Sequence, residues 1–222
     1  MKTFKYYDIV GMAFVAVLLV STIAAQKLFA FGSFTLTAGI IVFPFSYIFG
    51  DILTEVYGYA KARRVVWIGF LANIFLAVVC VIATALPPAP GWPFQEQFAT
   101  VLNFVPRIVV ASLLAYLVGE FVNSYVMAKM KIWTSGRHLW ARTIGSTAVG
   151  QGVDTVVFVI VAFAGVLPMS VMVATMVSGY LFKVAYEVLA TPLTYLIVNK
   201  LKKAEDVDHF DIGTNFTPFK ID

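Results

Sequence analysis

Residues Phe43 to Asn73 read FPFSYIFGDILTEVYGYAKARRVVWIGFLAN. The stretch begins in apolar sequence, places Asp51 and Glu55 four residues apart and closes on Tyr57-Gly58. It then crosses a short basic segment (Lys61, Arg63, Arg64) and turns apolar again at Val65. At helical pitch, positions i and i+4 stand one above the other, so the two carboxylates share a face. Two acids near the end of an apolar helix, just before a positive loop, point to a site that meets both water and ligand.

The rest of the chain says what kind of helix this is. Of its 222 residues, 60% are hydrophobic and 13% charged, with a mean hydropathy of +0.88. Soluble domains run at about 45–50% apolar and about 25% charged. The composition is that of a polytopic membrane protein with one membrane domain (1–203), a short polar tail (204–222) and no room for a large soluble domain. The net charge of +4 is explained more simply by basic loops on one side of a membrane than by nucleic acid. The single cysteine, Cys80, sits in an apolar run and excludes an intrachain disulfide or cysteine metal cluster. The start, MKTFKYYD before a long apolar run, lacks a small-x-small cleavage site and reads as a first helix that stays.

A span needs about 20 mostly apolar residues. Six stretches meet this: Ile9–Ala30, Phe34–Tyr57, Arg64–Leu86, Pro106–Met130, Arg142–Gly165 and Ser170–Leu201. The spacing predicts an all-α bundle of six transmembrane helices. With the N-terminus inside, the inner loops and ends hold Lys2, Lys5, Lys61, Arg63, Arg64, Lys129, Lys131, Arg137, Arg142, Lys200, Lys202, Lys203 and Lys220; the outer side holds Lys27 and Arg107. That bias, repeated at every loop, predicts both termini inside. The proline-rich loop after the third span carries Trp92, Phe94 and Phe98, which fit an interfacial belt or a short re-entrant turn. His138 and His209 read as solvated.

A charge at membrane depth costs roughly 2.5–3.5 kcal/mol on insertion scales, so such groups face the bundle interior and mark pathways. They are many here: Gln26, Lys27, Asp51, Glu55, Asn73, Glu120, Asn123, Gln151, Asp154, Lys183 and Glu187. Several have plain structural readings. Lys27 can snorkel, Glu55 can pair with Arg63 or Arg64, Lys183 and Glu187 can neutralise each other at i, i+4, and Asn73 can bridge helices. Glu120 and Asp154 have apolar sequence on both sides and no cation nearby in their own helix. Asn123 is a turn from Glu120 and Gln151 precedes Asp154 by three, so each pair turns one polar face inward. With Asp51 they outline a polar cavity. Gly145, Ser146, Ala148, Gly150 and Gly152 support close packing beside it, and Phe43, Phe45, Tyr47, Trp67, Phe121 and Tyr125 are candidates to stack a planar ligand.

No H-E-x-x-H, Walker A or G-x-S-x-G occurs, and neither histidine lies in a span, which argues against a zinc protease, a nucleotide-hydrolysing pump and a serine hydrolase. No metal or cofactor is expected. A solute carrier is the leading class. A substrate-capture subunit of a larger ATP-driven system is the alternative, and a membrane enzyme is a third reading.

The blocks FPFSYIFGDILTEVYGYAKARRVVWIGF, LLAYLVGEFVNSYVMAKMK and RTIGSTAVGQGVDTVVF resemble, in order and spacing, the queuosine-precursor (VUT) transporter family of bacterial and archaeal inner membranes. The resemblance runs from Phe34 to Asn199. It implies uptake of the cyano and aminomethyl 7-deazaguanine bases, and in some relatives of queuine. It also implies substrate contacts at Asp51, Glu55, Glu120, Asn123, Gln151 and Asp154, with Lys183 donating to a ligand carbonyl. The chemistry agrees: a guanine-like edge presents an N–H beside an exocyclic amine, one carboxylate can accept both, and an amide can pair with the neighbouring carbonyl. Phe45 or Trp67 would stack the ring, while Asp51, Glu55 and Glu187 are candidates for coupling or gating. A carboxylate at membrane depth makes proton coupling a reasonable expectation. Six helices are few for a complete carrier, so a homodimer in the cytoplasmic membrane is expected, with lipid and the small base as its partners.

Overall fold

A computed structural model describes residues 4–24, 27–31, 34–102, 106–165 and 168–219. Gln26, Lys2, Lys220 and the turn residues Val166 and Leu167 lie outside them, as do the side chains of Phe43 and Arg107. Among the described residues, five helices are long and apolar enough to cross a membrane: Tyr7–Ala24, Tyr59–Ala85, Val110–Trp133, Leu139–Phe163 and Met172–Glu205. The chain is a multi-pass membrane protein. In chain order the helices are α1 (Tyr7–Ala24), α2 (Phe43–Ile52), α3 (Tyr59–Ala85), α4 (Gln95–Leu102), α5 (Pro106–Trp133), α6 (Leu139–Phe163) and α7 (Met169–Glu205). The proline-rich loop thus folds into short α4, where Trp92 packs edge-on against Phe98.

The second expected span departs from a single helix. Its first residues belong to an antiparallel hairpin, β1 (Leu28–Phe31) with β2 (Phe34–Thr37), registered so that Phe31 faces Phe34. The sequence favours this: aromatic and β-branched residues flank a two-residue connection that contains Gly32. A 3₁₀ turn, Ala38–Ile41, follows, and α2 begins at Phe43 with Pro44 in its first turn. Proline has no N–H to donate upstream, so a helix starts there rather than passing through.

At its far end α2 widens into a π-turn, Leu53–Tyr57, and stops at Gly58. Gly58 has φ 87 and ψ 164, a conformation open essentially to glycine alone. The ladder broken there leaves the Glu55 carbonyl and the Tyr59 N–H without helical partners. Lys131 Nζ donates to the first at 2.7 Å, and Asp211 accepts from the second with both oxygens at 3.1 Å.

The core gathers around α2. Ile48, Ile52, Leu53 and Val56 pack with Phe14 and Leu18 of α1, Val65 and Val66 of α3, Tyr116 and Met127 of α5, and Ala190 and Val198 of α7. Helices α5 and α6 cross closely at Gly119 and Gly150. A Cβ on Gly150 would stand 2.8 Å from Asn123 Cβ, and one on Gly119 2.7 Å from Asp154 Cβ. Small residues let these backbones meet and bring their polar neighbours together.

The residues just before α1 and the segment after α7 lie on one face of the bundle. Glu205, near the end of α7, accepts the backbone N–H groups of Lys5 and Tyr6 at 2.9 and 2.6 Å, and the Tyr57 hydroxyl at 3.1 Å. The short polar tail packs on this terminal face, with Asp211 buried against the start of α3. His138 and His209 are exposed, as expected.

Candidate functional site

Four helices turn their polar faces toward one another: α2 brings Tyr47 and Asp51, α5 Tyr116, Glu120 and Asn123, α6 Thr147, Gln151 and Asp154, and α7 Lys183 and Glu187. All are buried except Lys183, which is 24% exposed. Asn123 Nδ2 donates to Asp51 Oδ1 at 3.0 Å, and Lys183 Nζ meets Asp154 Oδ2 at 2.5 Å. Glu120 reaches under α2, where a Cβ on Gly50 would stand 2.2 Å from its Oε1. Asp51 is within electrostatic reach of Glu187 and Glu120, and Glu120 of Asp154. Tyr47 lies beside Gln151, and Thr147 beside Glu187.

The cluster is thus four acids, one lysine, two amides, two phenols and the Thr147 hydroxyl. Asp51 Oδ2, Glu120 Oε1, Asn123 Oδ1 and the Tyr116 hydroxyl are buried with no hydrogen-bond partner among the described residues. Buried polar atoms left this way are costly. Three of the four are acceptors, so the arrangement suits a ligand rich in N–H donors or the uptake of protons.

A second polar node occupies the terminal face. Glu55, fully buried, takes Arg142 Nη2 at 2.6 Å, Arg142 Nε at 3.2 Å and Lys202 Nζ at 2.6 Å, with Lys131 at 3.5 Å. Lys131 and Lys202 also share Asp208 Oδ1, at 2.6 and 2.9 Å. Arg142 further donates to the Arg137 carbonyl and, at 3.3 Å, to Thr134 Oγ1. At 1.5 Å per residue, Glu120 is about 16 Å along α5 from Lys131 and Asp154 about 18 Å along α6 from Arg142. Glu120 and Asp154 therefore lie roughly half a membrane away from this node, whereas Asp51 is a single helical turn, about 6 Å along the chain, from Glu55.

Comparison with known proteins decides the family. The sequence profile described as "Putative vitamin uptake transporter" matches residues 37–197. The chain belongs to that family. Among curated relatives, it is 36% identical over 162 residues to the "Probable queuosine precursor transporter" of Bacillus subtilis (strain 168), covering 72% of this chain and 71% of the relative. It is 28% identical over 130 residues to the "Queuosine precursor transporter" of Escherichia coli (strain K12), covering 59% and 56%, and 27% identical over 134 residues to the "Probable queuosine precursor transporter" of Haemophilus influenzae (strain ATCC 51907 / DSM 11121 / KW20 / Rd), covering 59% and 53%. No solved structure matches the chain.

In this member of the uptake transporter family, the residues singled out from sequence divide between the two nodes. Asp51, Glu120, Asn123, Gln151, Asp154, Lys183 and Glu187 come together. Glu55 does not join them: its carboxylate is held by Arg142, Lys202 and Lys131. The i, i+4 pairing of Lys183 with Glu187 gives way to Lys183 with Asp154. Arg63, a sequence-level partner for Glu55, donates instead to the carbonyls of Asn215 and Thr217. Trp67 Nε1 donates to the Pro218 carbonyl, and its ring packs among Phe70, Phe121 and Phe219. Phe45, on α2, is 41% exposed.

Sequence reading passed over Tyr116 and Thr147. Both were within reach: each lies four residues before a polar residue already chosen, Glu120 and Gln151, and so extends the same helical face.

Proposed function

We propose that this transporter takes up queuosine precursors, the substrates named for its curated relatives, and binds their guanine-like edge in the cluster between α2, α5, α6 and α7. One observation carries the reading: buried acceptors from two helices, Asp51 Oδ2 of α2 with Glu120 Oε1 and Asn123 Oδ1 of α5, have no hydrogen-bond partner among the described residues. A 7-deazaguanine presents adjacent N–H and NH₂ donors that a carboxylate accepts as a fork, and the Gln151 amide N–H₂ would donate to its carbonyl. A base lacking those donors leaves the carboxylates stranded, which is the basis of discrimination. The cyano and aminomethyl bases are the first candidates, and queuine a further one.

Asp51, Glu120 and Glu187 are the proposed proton carriers, since carboxylates at this depth are cheaper to bury neutral. The six-pass count is supported by the near ends of α1 and α7. The start of α1 and the end of α7 share a face, which fits an even number of crossings, with the hairpin and α2 together taken as a sixth pass beside the five long helices. The bias of the basic loops supports a terminal face that looks into the cytoplasm from the cytoplasmic membrane. A homodimer completes the proposal.

The test is a thermal-shift titration of purified protein with the cyano and aminomethyl deazaguanines, queuine, guanine and adenine. A ligand that binds the folded state raises its melting temperature by mass action. We expect stabilisation by a deazaguanine and not by adenine, abolished in Glu120→Gln or Asp154→Asn. A flat response to every base overturns the substrate assignment.

A further inference from the structure

We infer that the segment after α7, residues 206–219, is a latch: docked, it holds the terminal face shut over α2, and undocked, it opens the buried polar cluster to that face. The inference concerns the gate and not the cargo, so it stands apart from the substrate reading.

Three features carry it. First, α2 with its π-turn is short and bounded by the 3₁₀ turn Ala38–Ile41 at one end and by Gly58, at positive φ, at the other. Such boundaries absorb large backbone changes, and α2 between them carries Asp51. Second, the π-turn that ends α2 is anchored to three neighbouring helices at one node. Glu55 is gripped by Lys131 of α5, Arg142 of α6 and Lys202 of α7, and two of those cations also grip Asp208 of the tail.

Third, the tail lies across the hinge itself. The His209 ring occupies the space a side chain on Gly58 would need, 2.1 Å from the ideal Cβ. Asp211 caps the first N–H of α3, and Arg63 and Trp67 hold the carbonyls of Asn215, Thr217 and Pro218. Phe216 packs between Tyr59 and Tyr125, with Lys129 Nζ 4.1 Å from its ring centre.

The seam is built to part. Asp208 is half exposed, so water can replace the ammonium groups as the tail lifts. The line where Phe216 and Pro218 meet Tyr59, Phe121, Val122 and Tyr125 leaves a recess of about 170 Å³ instead of a filled core. Most of the polar contacts are to backbone carbonyls and a shared carboxylate, which re-form without a unique side-chain fit.

The experiment measures access. In a Cys80→Ser background, Ser124→Cys places a thiol at a fully buried position on α5. Labelling with a membrane-impermeant maleimide is followed in sealed vesicles of both orientations. Removing residues 207–222 is expected to raise the labelling rate about tenfold, from the terminal face alone, the scale of losing one charge-assisted hydrogen bond. Because the truncated chain could misfold, the full-length Asp208→Asn, Asp211→Asn double variant runs in parallel, with a monodisperse gel-filtration peak required of both. Unchanged labelling in a folded variant overturns the latch. So does an equal rise from both faces, which would mean general loosening.

Discussion

Asn123 and Asp51, 72 residues apart, meet through one hydrogen bond of 3.0 Å that ties α5 to α2 inside the polar cluster. Each keeps one oxygen without a partner among the described residues, so the pair is both a fastener and an acceptor edge. Asn123→Leu removes the donor and strands the buried carboxyl. It should cost about 1–3 kcal/mol of stability, read as a lower melting temperature in detergent. Asp51→Asn keeps the shape and should fold near wild type while losing uptake. Equal destabilisation by both would count against this division of roles.

The Lys183–Asp154 pair predicts a reciprocal pattern. Lys183→Ala leaves Asp154 buried without its cation and should destabilise by about 1–3 kcal/mol, below the full cost for a wholly buried pair because Lys183 is partly exposed. Asp154→Asn should restore stability in the Lys183→Ala background. Additive losses in the double variant would show that the two do not act on each other.

Gly150→Ala tests the helix crossing. The new methyl would meet Asn123 Cβ at 2.8 Å and the Gly119 carbonyl at 3.0 Å, atoms that no rotamer change can move aside. Overpacking of this kind costs about 1–3 kcal/mol. A melting temperature within error of wild type would mean that α5 and α6 have room to separate.

Acid should release the terminal face. Burial alone raises the Asp208 carboxyl, but the hydrogen bonds and charges of Lys131 and Lys202 outweigh it and hold the group below its ordinary value. A depressed carboxyl stabilises the fold above its unfolded pKa, about 3.9, and that contribution fades as pH falls through the lower folded value. The melting-temperature gap between wild type and Asp208→Asn should be full at roughly pH 5–7 and close below about pH 4. A gap that widens on acidification would reverse the sign of the interaction.

Much of the site was legible because it follows helical period. Glu120 with Asn123, Gln151 with Asp154, and Asp51 stood out as polar residues in apolar sequence, and the same period extended one turn would have added Tyr116 and Thr147. The hairpin was less legible. Its strands are as apolar as the helix expected there, and hydropathy measures depth without reporting which backbone ladder forms.

The sequence by itself determined a multi-pass membrane protein, its apolar spans, its basic loops and the polar residues placed at depth. All of these follow from transfer free energies of residues and their immediate neighbours. Only the tertiary structure decided which charge meets which. Glu55 bypasses the nearby Arg63 for cations 76, 87 and 147 residues away, and Lys183 turns from Glu187, one turn along its own helix, to Asp154 on another. The Coulomb energy of a pair depends on separation and burial in space. The π-turn at Leu53–Tyr57 and the Gly119–Gly150 crossing set those separations, and sequence distance does not.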